Sequence, residues 1–313
     1  MVAPMDRRRF LGSGLAALAA APLARAARGA AATAAAEVAP REEFRLAYAP
    51  HFGTFRHHAG DDPVAQLEWA HDQGFTAWED NQMARRPVEE QERIAAAMER
   101  LGMRMGVFVA NFGTAFGDRS FASGREDARE AFLADLRQAV EVAKRVNATW
   151  ATIVLGTADP RLPQGLQDAH AVETLKRGAG LCEEAGLVLV MEPLNPRDHP
   201  GMFLVRSDHA YALCKAVASP SVKILFDLYH QQVSEGNLIP NLRRFGDEIA
   251  YYQIGDNPGR NEPGTGEVNY RNVFAAIHET GYDGVLGMEH GNSAAGREGE
   301  LAVVEAYRWA DSF

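Results

Sequence analysis

Three acidic residues and one amide end apolar segments in the second half of the chain. They are Glu192, Asp227, Glu289 and Gln253. A carboxylate is costly to bury unless a cation or strong hydrogen-bond donors accompany it. If these segments are neighbouring parallel strands, the four side chains form an all-oxygen cluster, which hard divalent ions such as Mg²⁺ and Mn²⁺ prefer. The alternative is that arginines at the bases of loops neutralise the acids, because ion-pair networks also occupy such places.

Further polar residues widen this candidate site, and each has two interpretations. Glu79 ends a preceding apolar segment, where it could contact a substrate hydroxyl or form a salt bridge at the rim. His51 ends the first apolar segment and is predicted either to contact a substrate or to be a histidine with ordinary hydrogen bonds. The pair His57 and His58 could line the pocket, but an exposed polar loop is the better prediction, because loops run over the surface.

The elements that position these residues are eight apolar segments separated by amphipathic stretches, which predicts repeated strand-helix units. Such apolar runs indicate parallel strands buried on both faces. Eight units are the number in a (β/α)8 barrel, whose catalytic groups sit at the C-terminal ends of the strands. We therefore predict an α/β fold, a single (β/α)8 TIM barrel. A doubly wound open sheet is the alternative, weakened because no strand precedes a G-x-G-x-x-G turn. The predicted strands are Phe44–His51, Phe75–Asp80, Met103–Ala110, Thr149–Leu155, Leu187–Glu192, Val222–Asp227, Ile249–Ile254 and Gly284–Glu289.

The composition is that of an ordinary globular protein and excludes several classes. Of 313 residues, 46% are hydrophobic and 24% are charged. The formal net charge of −10 argues against a nucleic-acid partner, since such partners are bound largely through basic groups. The two cysteines, Cys182 and Cys214, are too few for a disulfide framework or a multi-cysteine zinc site, and we predict buried thiols. Assembly into a homo-oligomer is left open.

The N-terminal segment, residues 1–36, is predicted to be an export signal rather than part of the fold. Asp6–Leu11 contains three consecutive arginines and precedes a short apolar run, Leu15–Leu23, and an Ala-x-Ala site at Ala24–Ala26. The paired arginines resemble a twin-arginine (Tat) signal, which implies the Tat machinery as a partner and a periplasmic or otherwise exported location. The run is too short for a stable membrane anchor, so none is predicted in the mature form. The barrel is predicted to occupy residues 37–313.

Four stretches, taken in order, resemble the hydroxypyruvate isomerase family, a group of xylose-isomerase-like barrels related to the ketose 3-epimerases. They are Met191–Asn195, Phe226–His230, Gln253–Glu267 and Gly287–Glu289. Within the third stretch, the run Pro-Gly-Arg-Asn-Glu-Pro-Gly-Thr-Gly-Glu is specific, and so is its order relative to the two glutamates. The resemblance covers essentially all of residues 44–313.

The resemblance implies a role for each residue that matches the family's motifs. Glu192 and Glu289 match the two residues that transfer protons, and both are also metal ligands. His230 matches a histidine that contacts the substrate, and Arg260 matches a basic residue that faces the substrate's far end. The implied cofactor is a divalent metal, Mn²⁺ or Mg²⁺. Its implied ligands are Glu192, Asp227, Gln253 and Glu289.

These roles imply a metal-dependent isomerase of an α-hydroxy carbonyl compound. A proton moves between adjacent carbons through an enediolate, whose oxyanions a divalent cation stabilises. One carboxylate working alone isomerises, whereas two working on opposite faces invert a stereocentre, so a ketose 3-epimerase-like enzyme is an alternative. A non-catalytic exported sugar-binding protein on the same barrel is another. An endonuclease of the same superfamily would need more histidine ligands and a basic groove, and this chain has neither.

The substrate is predicted to be a small keto-acid, a ketose or a keto-sugar. The export signal favours a neutral sugar, because hydroxypyruvate is a cytoplasmic intermediate. Arg260 suits a substrate carboxylate through a bidentate pair, or sugar hydroxyls through single hydrogen bonds. Its alternative role is to clamp Glu262 or Asp256 and so order its own loop.

Overall fold

The computed structural model describes residues 44–113, 115 and 120–313. The predicted export signal, residues 1–36, and the predicted start of the barrel at residue 37 lie outside these residues. The described residues belong to one compact unit. Within them, none of the helices has the length and apolar character needed to cross a bilayer.

Eight parallel strands close into a barrel, which confirms the predicted fold. The strands are β1 (Ala47–Ala49), β2 (Ala77–Trp78), β3 (Arg104–Met105), β4 (Trp150–Ile153), β5 (Val188–Met191), β6 (Val222–Asp227), β7 (Ile249–Gln253) and β8 (Val285–Gly287). Six of them form a sheet in the order β1-β8-β7-β6-β5-β4, and β2 pairs with β3. Single bridges join β1 to β2 at His51 and Glu79, and join β3 to β4 at Val109 and Thr152. These bridges complete the ring, so the alternative of an open sheet is wrong.

The regular strand ladders are shorter than the predicted strands. The ladder of β3 covers only Arg104–Met105, although the chain continues extended and pairs again at Val109. The predicted positions of all eight strands are nevertheless confirmed.

Helices surround the barrel and return the chain to the start of each next strand. They are α1 (Arg56–Ala59), α2 (Pro63–Asp72), α3 (Val88–Leu101), α4 (Glu126–Val146), α5 (Gln164–Ala185), α6 (Ser207–Val217), α7 (Leu228–Ser234), α8 (Leu238–Arg244), α9 (Tyr270–Glu279) and α10 (Gly296–Ala310). Gly102 and Gly186 end α3 and α5 at φ of 67° and 69°. Glycine adopts this left-handed conformation without steric cost, which stops the helix just before a strand.

The strand alternation places an apolar layer beneath a polar mouth. An inner cluster inside the barrel consists of Ala49, Ala77, Val107, Val190, Leu225, Tyr251 and Val285. Side chains two residues apart on a strand point to the same face. The interior positions that follow toward the C-terminal ends are therefore the polar ones: His51, Glu79, Glu192, Asp227, Gln253 and Glu289. An apolar floor thus lies directly below the predicted site.

Two predictions about residues outside the barrel have different outcomes. His57 and His58 do not lie in an exposed loop, since they belong to α1 and bind Glu300 of α10. Each oxygen of this buried carboxylate accepts one backbone N–H of α1 and lies within 2.9 Å or 2.6 Å of one imidazole Nδ1. Cys182 and Cys214 are buried free thiols, as predicted, and burial raises the pKa of each to about 12.

Candidate active site

Four predicted site residues stand on four neighbouring strands of the barrel. They are Glu192, directly after β5; Asp227, the last residue of β6; Gln253, the last residue of β7; and Glu289, two residues after β8. Asp227 and Gln253 are paired in the strand register. Because β5, β6, β7 and β8 are consecutive in the sheet, the four side chains form an arc along the C-terminal edge. The structure therefore brings together the set that the sequence predicted.

The two carboxylate oxygens of Asp227 have different partners: one accepts backbone N–H groups, and the other faces the barrel mouth. Oδ1 accepts the backbone N–H groups of Tyr229 at 2.8 Å and His230 at 3.2 Å, and so caps helix α7. Oδ2 accepts Nη2 of Arg260 at 2.8 Å. The residue is fully buried. An aspartate at an N-cap pairs with helix N–H groups that otherwise have no partner, which holds this side chain in one orientation.

His230 presents a protonated Nε2 to the acidic cluster. Its Nδ1 accepts the backbone N–H of Asn195 at 3.2 Å, so in the neutral ring the proton is on Nε2. Nε2 lies 3.5 Å from Oε1 of Glu192 and 3.6 Å from Oδ2 of Asp227. Burial lowers the pKa of His230 to about 4, which keeps the ring neutral. His230 therefore faces the site as a hydrogen-bond donor, in keeping with the predicted substrate contact.

Glu192 is buried against like charges. The pKa of its carboxyl lies well above the ordinary value, because of burial first and then repulsion from Glu289 and Asp227. Arg260 opposes this shift only partly. A carboxylate whose charge is disfavoured in this way is a stronger base than one in water.

Arg260 lies across the arc rather than in its own loop. Its Nη2 donates to Oδ2 of Asp227 at 2.8 Å and to Oε2 of Glu289 at 2.7 Å, and its Nε donates to the carbonyl of Glu289. The guanidinium also stacks on the ring of Tyr229, 4.8 Å from its centroid. Burial works against its charge, but Asp227 and Glu289 outweigh burial and raise its pKa.

The alternative role predicted for Arg260, a clamp on Asp256 or Glu262, is wrong. Asp256 accepts three backbone N–H groups of its own loop, from Gly264, Gly266 and Val268. Glu262 accepts the backbone N–H of Ser293. The loop is therefore ordered by carboxylates that bind backbone groups, and the Arg260 side chain is left for the mouth.

Asn81 belongs to the site, although no role was predicted for it. Its Nδ2 donates to Oε1 of Glu289 at 2.8 Å, and its Oδ1 is buried without a hydrogen-bond partner among the described residues. Glu289 thus accepts from Asn81 on one oxygen and from Arg260 on the other. Burial raises the pKa of Glu289, whereas Arg260 lowers it. Asn81 lies on the strand face of Glu79, and that alternation was the signal available in the sequence.

Glu79 lies below the mouth, not on its rim. Its Oε2 accepts the hydroxyl of Tyr251 at 2.8 Å, and its Oε1 accepts Nε2 of Gln253 at 2.9 Å. The residue is 1% exposed, and no salt bridge to it occurs among the described residues. Burial, then repulsion from Glu289, raises its pKa well above the ordinary value. The prediction of a salt-bridged rim residue is therefore wrong. Both carboxylate oxygens of Glu79 already accept hydrogen bonds, which leaves little capacity for the substrate contact that was also predicted.

His51 remains at the mouth with both ring nitrogens near backbone carbonyls. Nδ1 lies 3.1 Å from the carbonyl of Phe52, and Nε2 lies 3.1 Å from the carbonyl of His290. A neutral imidazole has one N–H and donates to one of these two carbonyls, which agrees with a histidine hydrogen-bonded within the fold, the second of its two predicted interpretations. Its contact with a substrate stays a prediction.

The donor set fits a divalent cation. Gln253 Oε1 is buried and has no hydrogen-bond partner among the described residues, an arrangement that is costly without a ligand. Ligand atoms of Glu192, Asp227 and His230 all lie within 4.8 Å of one another. The residues that would hold a cation through oxygen are Glu192, Asp227, Gln253 and Glu289, whereas Nε2 of His230 carries the proton in the neutral tautomer that accepts at Nδ1. Carboxylate and amide oxygens suit Mg²⁺ or Mn²⁺.

The fold and the site define a class: a closed (β/α)8 barrel with an acidic arc at the C-terminal mouth. The chain belongs to the xylose isomerase-like TIM barrel family, whose model matches residues 67–313. It is 32% identical over 217 residues to 2-oxo-tetronate isomerase of Cupriavidus necator. The matched region covers 68% of this chain and 82% of that protein. It is 32% identical over 201 residues to hydroxypyruvate isomerase of Escherichia coli, covering 64% of this chain and 74% of that protein.

Among solved structures, the fold is similar to that of an AP endonuclease, family 2, from Brucella melitensis. The TM-score is 0.69 with 23% sequence identity, over 84% of this chain and 97% of that one. At this identity the similarity concerns the fold alone. The resemblance to hydroxypyruvate isomerases is confirmed by the curated relatives.

Proposed function

We propose that this protein is a metal-dependent isomerase of a small α-hydroxy carbonyl compound, a keto-acid or a keto-sugar. The observation that carries the proposal is the arc of Glu192, Asp227, Gln253 and Glu289 on four consecutive strands, above an apolar floor. The two curated relatives are named as isomerases of small keto-acids. An arc with two buried glutamates is suited to moving a proton between carbons.

Each residue of the mouth has a part in that chemistry. The bound divalent cation supplies positive charge that polarises the substrate carbonyl and stabilises developing negative charge. Glu192 or Glu289 removes the C–H proton from the carbon that bears the hydroxyl group and returns it to the former carbonyl carbon, while the hydroxyl proton passes to the former carbonyl oxygen. Burial raises the pKa of both carboxyls, which strengthens them as bases. His230 donates a hydrogen bond from Nε2 to a substrate oxygen.

An epimerase that inverts one stereocentre is the second candidate. The observation that favours it is the presence of two carboxylates, Glu192 and Glu289, separated by two strands of the arc. Two bases that approach a carbon from opposite faces can remove a proton from one side and deliver it to the other. One base alone returns the proton to the same face or to the neighbouring carbon.

Proton exchange in D₂O tests the proposal. Protein loaded with Mn²⁺ is incubated with a panel of small 2-keto-acids and ketoses, and the products are followed by NMR. We expect deuterium at the carbon that receives the proton and a new isomer in the same samples. Deuterium together with an inverted stereocentre would favour the epimerase. Absence of exchange with every compound, while one of them binds, would instead support the non-catalytic sugar-binding protein.

For the substrate we propose a keto-acid, which reverses the preference drawn from the export signal. The Nε and Nη2 groups of Arg260 are engaged, whereas its Nη1 has no hydrogen-bond partner among the described residues. The two N–H groups that remain, both on Nη1, are available to donate to a substrate carboxylate. The names of the two curated relatives agree with a carboxylate on the substrate.

Arg260→Lys is expected to raise KM for the best keto-acid substrate about 10-fold or more, and Arg260→Ala to raise it further. The lysine keeps the charge but loses the planar fork, and a charge-assisted hydrogen bond contributes roughly 1.5–3 kcal/mol. Steady-state kinetics on a keto-acid and on a neutral ketose provide the measurement. Similar, moderate effects of both variants on both substrates would point to a neutral sugar.

We further propose that residues 1–36 direct Tat-dependent export to the periplasm or beyond, and that the resident cation is Mn²⁺ or Mg²⁺. The three arginines and the apolar run support the first proposal, and the oxygen ligands support the second. Fractionation of cells producing the full chain, with the paired arginines replaced by lysines as a control, tests the location.

A further inference from the structure

The two ends of the Gln253 side chain are in different environments. A glutamine amide has a nitrogen end and an oxygen end of nearly equal size, so its orientation is set by its hydrogen-bond partners. Nε2 donates to Oε1 of Glu79 at 2.9 Å, while Oε1 is buried without a partner among the described residues. If the amide turned over, its oxygen would face the carboxylate and its nitrogen would face the acidic arc.

The hydrogen bond from Tyr251 determines which oxygen of the Glu79 carboxylate is left to bind Gln253. The Tyr251 hydroxyl donates to Oε2 of Glu79 at 2.8 Å, and among the described residues no other acceptor binds its proton. Leaving this buried hydroxyl without an acceptor is costly, so the side chain at position 79 has to accept from it. Oε1 of Glu79 then remains to accept the N–H of Gln253.

The barrel interior leaves room for this arrangement at two glycines. A Cβ built at Gly287 of β8 would overlap the carboxylate of Glu79, and one built at Gly106 would overlap the hydroxyl of Tyr251. Neither glycine has a positive φ. The missing side chains therefore serve the packing of the Glu79 and Tyr251 pair, not the backbone conformation.

We propose that Glu79 is a positioning residue that holds the Gln253 amide with its oxygen toward the cation of the arc. The proposal rests on the proposed metal site and extends it to a residue that does not touch the cation. Groups that orient metal ligands through hydrogen bonds typically contribute 10–100-fold to metal affinity. A structural role alone would instead affect the folding stability and leave the affinity for metal unchanged.

Glu79→Gln is the first test variant. Tyr251 still needs an acceptor, so the new amide turns its oxygen to the tyrosine and its N–H to residue 253. Gln253 then satisfies that donor only by turning over, which directs its own N–H groups toward the arc. We expect the Kd for Mn²⁺, measured by isothermal titration calorimetry on the metal-free protein, to rise at least about 10-fold.

The double variant Glu79→Gln with Gln253→Glu is the rescue. The amide at position 79 still accepts from Tyr251, and its N–H donates to one oxygen of the new carboxylate at position 253. The other oxygen of that carboxylate faces the cation, and the charge of the pair is unchanged. We expect the Kd for Mn²⁺ to return to within about 3-fold of the wild type, since either orientation of a carboxylate presents an oxygen.

Glu300→Gln is the matched control. Glu300 is also a buried carboxylate with both oxygens in hydrogen bonds, but it caps α1 outside the barrel. We expect this variant to unfold at lower temperature while its Kd for Mn²⁺ stays at the wild-type value. Comparing Glu300→Gln with Glu79→Gln distinguishes two causes of weaker Mn²⁺ binding: the loss of any buried carboxylate, and the loss of the Gln253 orientation in particular.

The outcomes are distinct. Unchanged Mn²⁺ affinity in Glu79→Gln, or a double variant as weak as the single one, would overturn the proposal. If Glu79→Gln does not fold, the double variant decides: near wild-type affinity supports the proposal and weak binding overturns it. Proton exchange by the wild-type protein, together with unchanged Mn²⁺ affinity in Glu79→Gln, leaves the isomerase proposal standing and removes only this one. Wild-type protein that binds no Mn²⁺ removes both.

Discussion

Replacing Glu192 by glutamine is expected to lower kcat by roughly 10²–10⁴, the usual contribution of a positioned acid-base group. The variant keeps the shape and one oxygen ligand but cannot accept a proton. The same loss is expected for Glu289→Gln if both carboxylates take part in proton transfer. KM should change much less than kcat, because the hydrogen bonds of His230 and Arg260 remain available to the substrate. Steady-state kinetics with the substrate identified in D₂O is the measurement.

The stability of these variants provides the control. Glu192 is buried near two other carboxylates, which raises its pKa. A raised pKa means that the folded state disfavours the charge, so ionised Glu192 reduces stability above its unfolded pKa. Metal-free Glu192→Gln should therefore unfold at the same temperature as the wild type or higher. Near wild-type turnover in either variant would show that the replaced residue does not transfer a proton and is only a ligand or a charge at the rim.

Removing the divalent metal with a chelator is expected to abolish turnover while the barrel stays folded. The inner apolar cluster contains none of the proposed ligands, and the strands are paired through their backbones, so the core does not depend on the cation. Adding Mn²⁺ or Mg²⁺ should restore activity. A ligand present at about 100 times its Kd stabilises the folded state by about 2.7 kcal/mol, so the thermal midpoint should rise with added metal.

Circular dichroism and activity measured on the same chelated sample check this prediction. Unchanged ellipticity with lost activity is the expected pair of results. Full turnover after complete removal of metal, verified by elemental analysis, would mean that the arc works without a cation. Arg260 would then be the positive charge that stabilises the developing oxyanion.

The sequence was sufficient to predict the barrel and the arc because both follow from local patterns. Each strand is a continuous apolar run, and each ligand is the polar residue at the end of one. Asp227 ends β6 as predicted, and Gln253 ends β7 one residue before the predicted end at Ile254, so the period of two along a strand and the parallel order are enough to bring them together.

The supporting contacts could not be predicted, because they join residues that are far apart in the chain. Glu79 is 172 positions from Tyr251, and its place depends on the missing side chain of Gly287 on a third strand. The sequence around His57 and His58 is typical of a polar loop. In the structure their backbone N–H groups donate to Glu300, which is 243 and 242 positions away in the chain. Local polarity predicts a loop, whereas a distant buried carboxylate binds the backbone N–H groups of the same residues and holds them in a short helix, with the His57 side chain still exposed.

The Asp227 carboxylate binds both a helix N-terminus and Arg260, and this makes it less mobile than other side chains of the mouth. One oxygen caps α7, so rotating this side chain would leave two N–H groups without a partner. Glu289 is held on both oxygens by Asn81 and Arg260, whereas among the described residues no hydrogen bond holds the carboxylate of Glu192. Asp227 and Glu289 are thus the fixed carboxylates of the mouth. In the proposed isomerase, Glu192 is the one that can change rotamer and follow a proton from one carbon to the next.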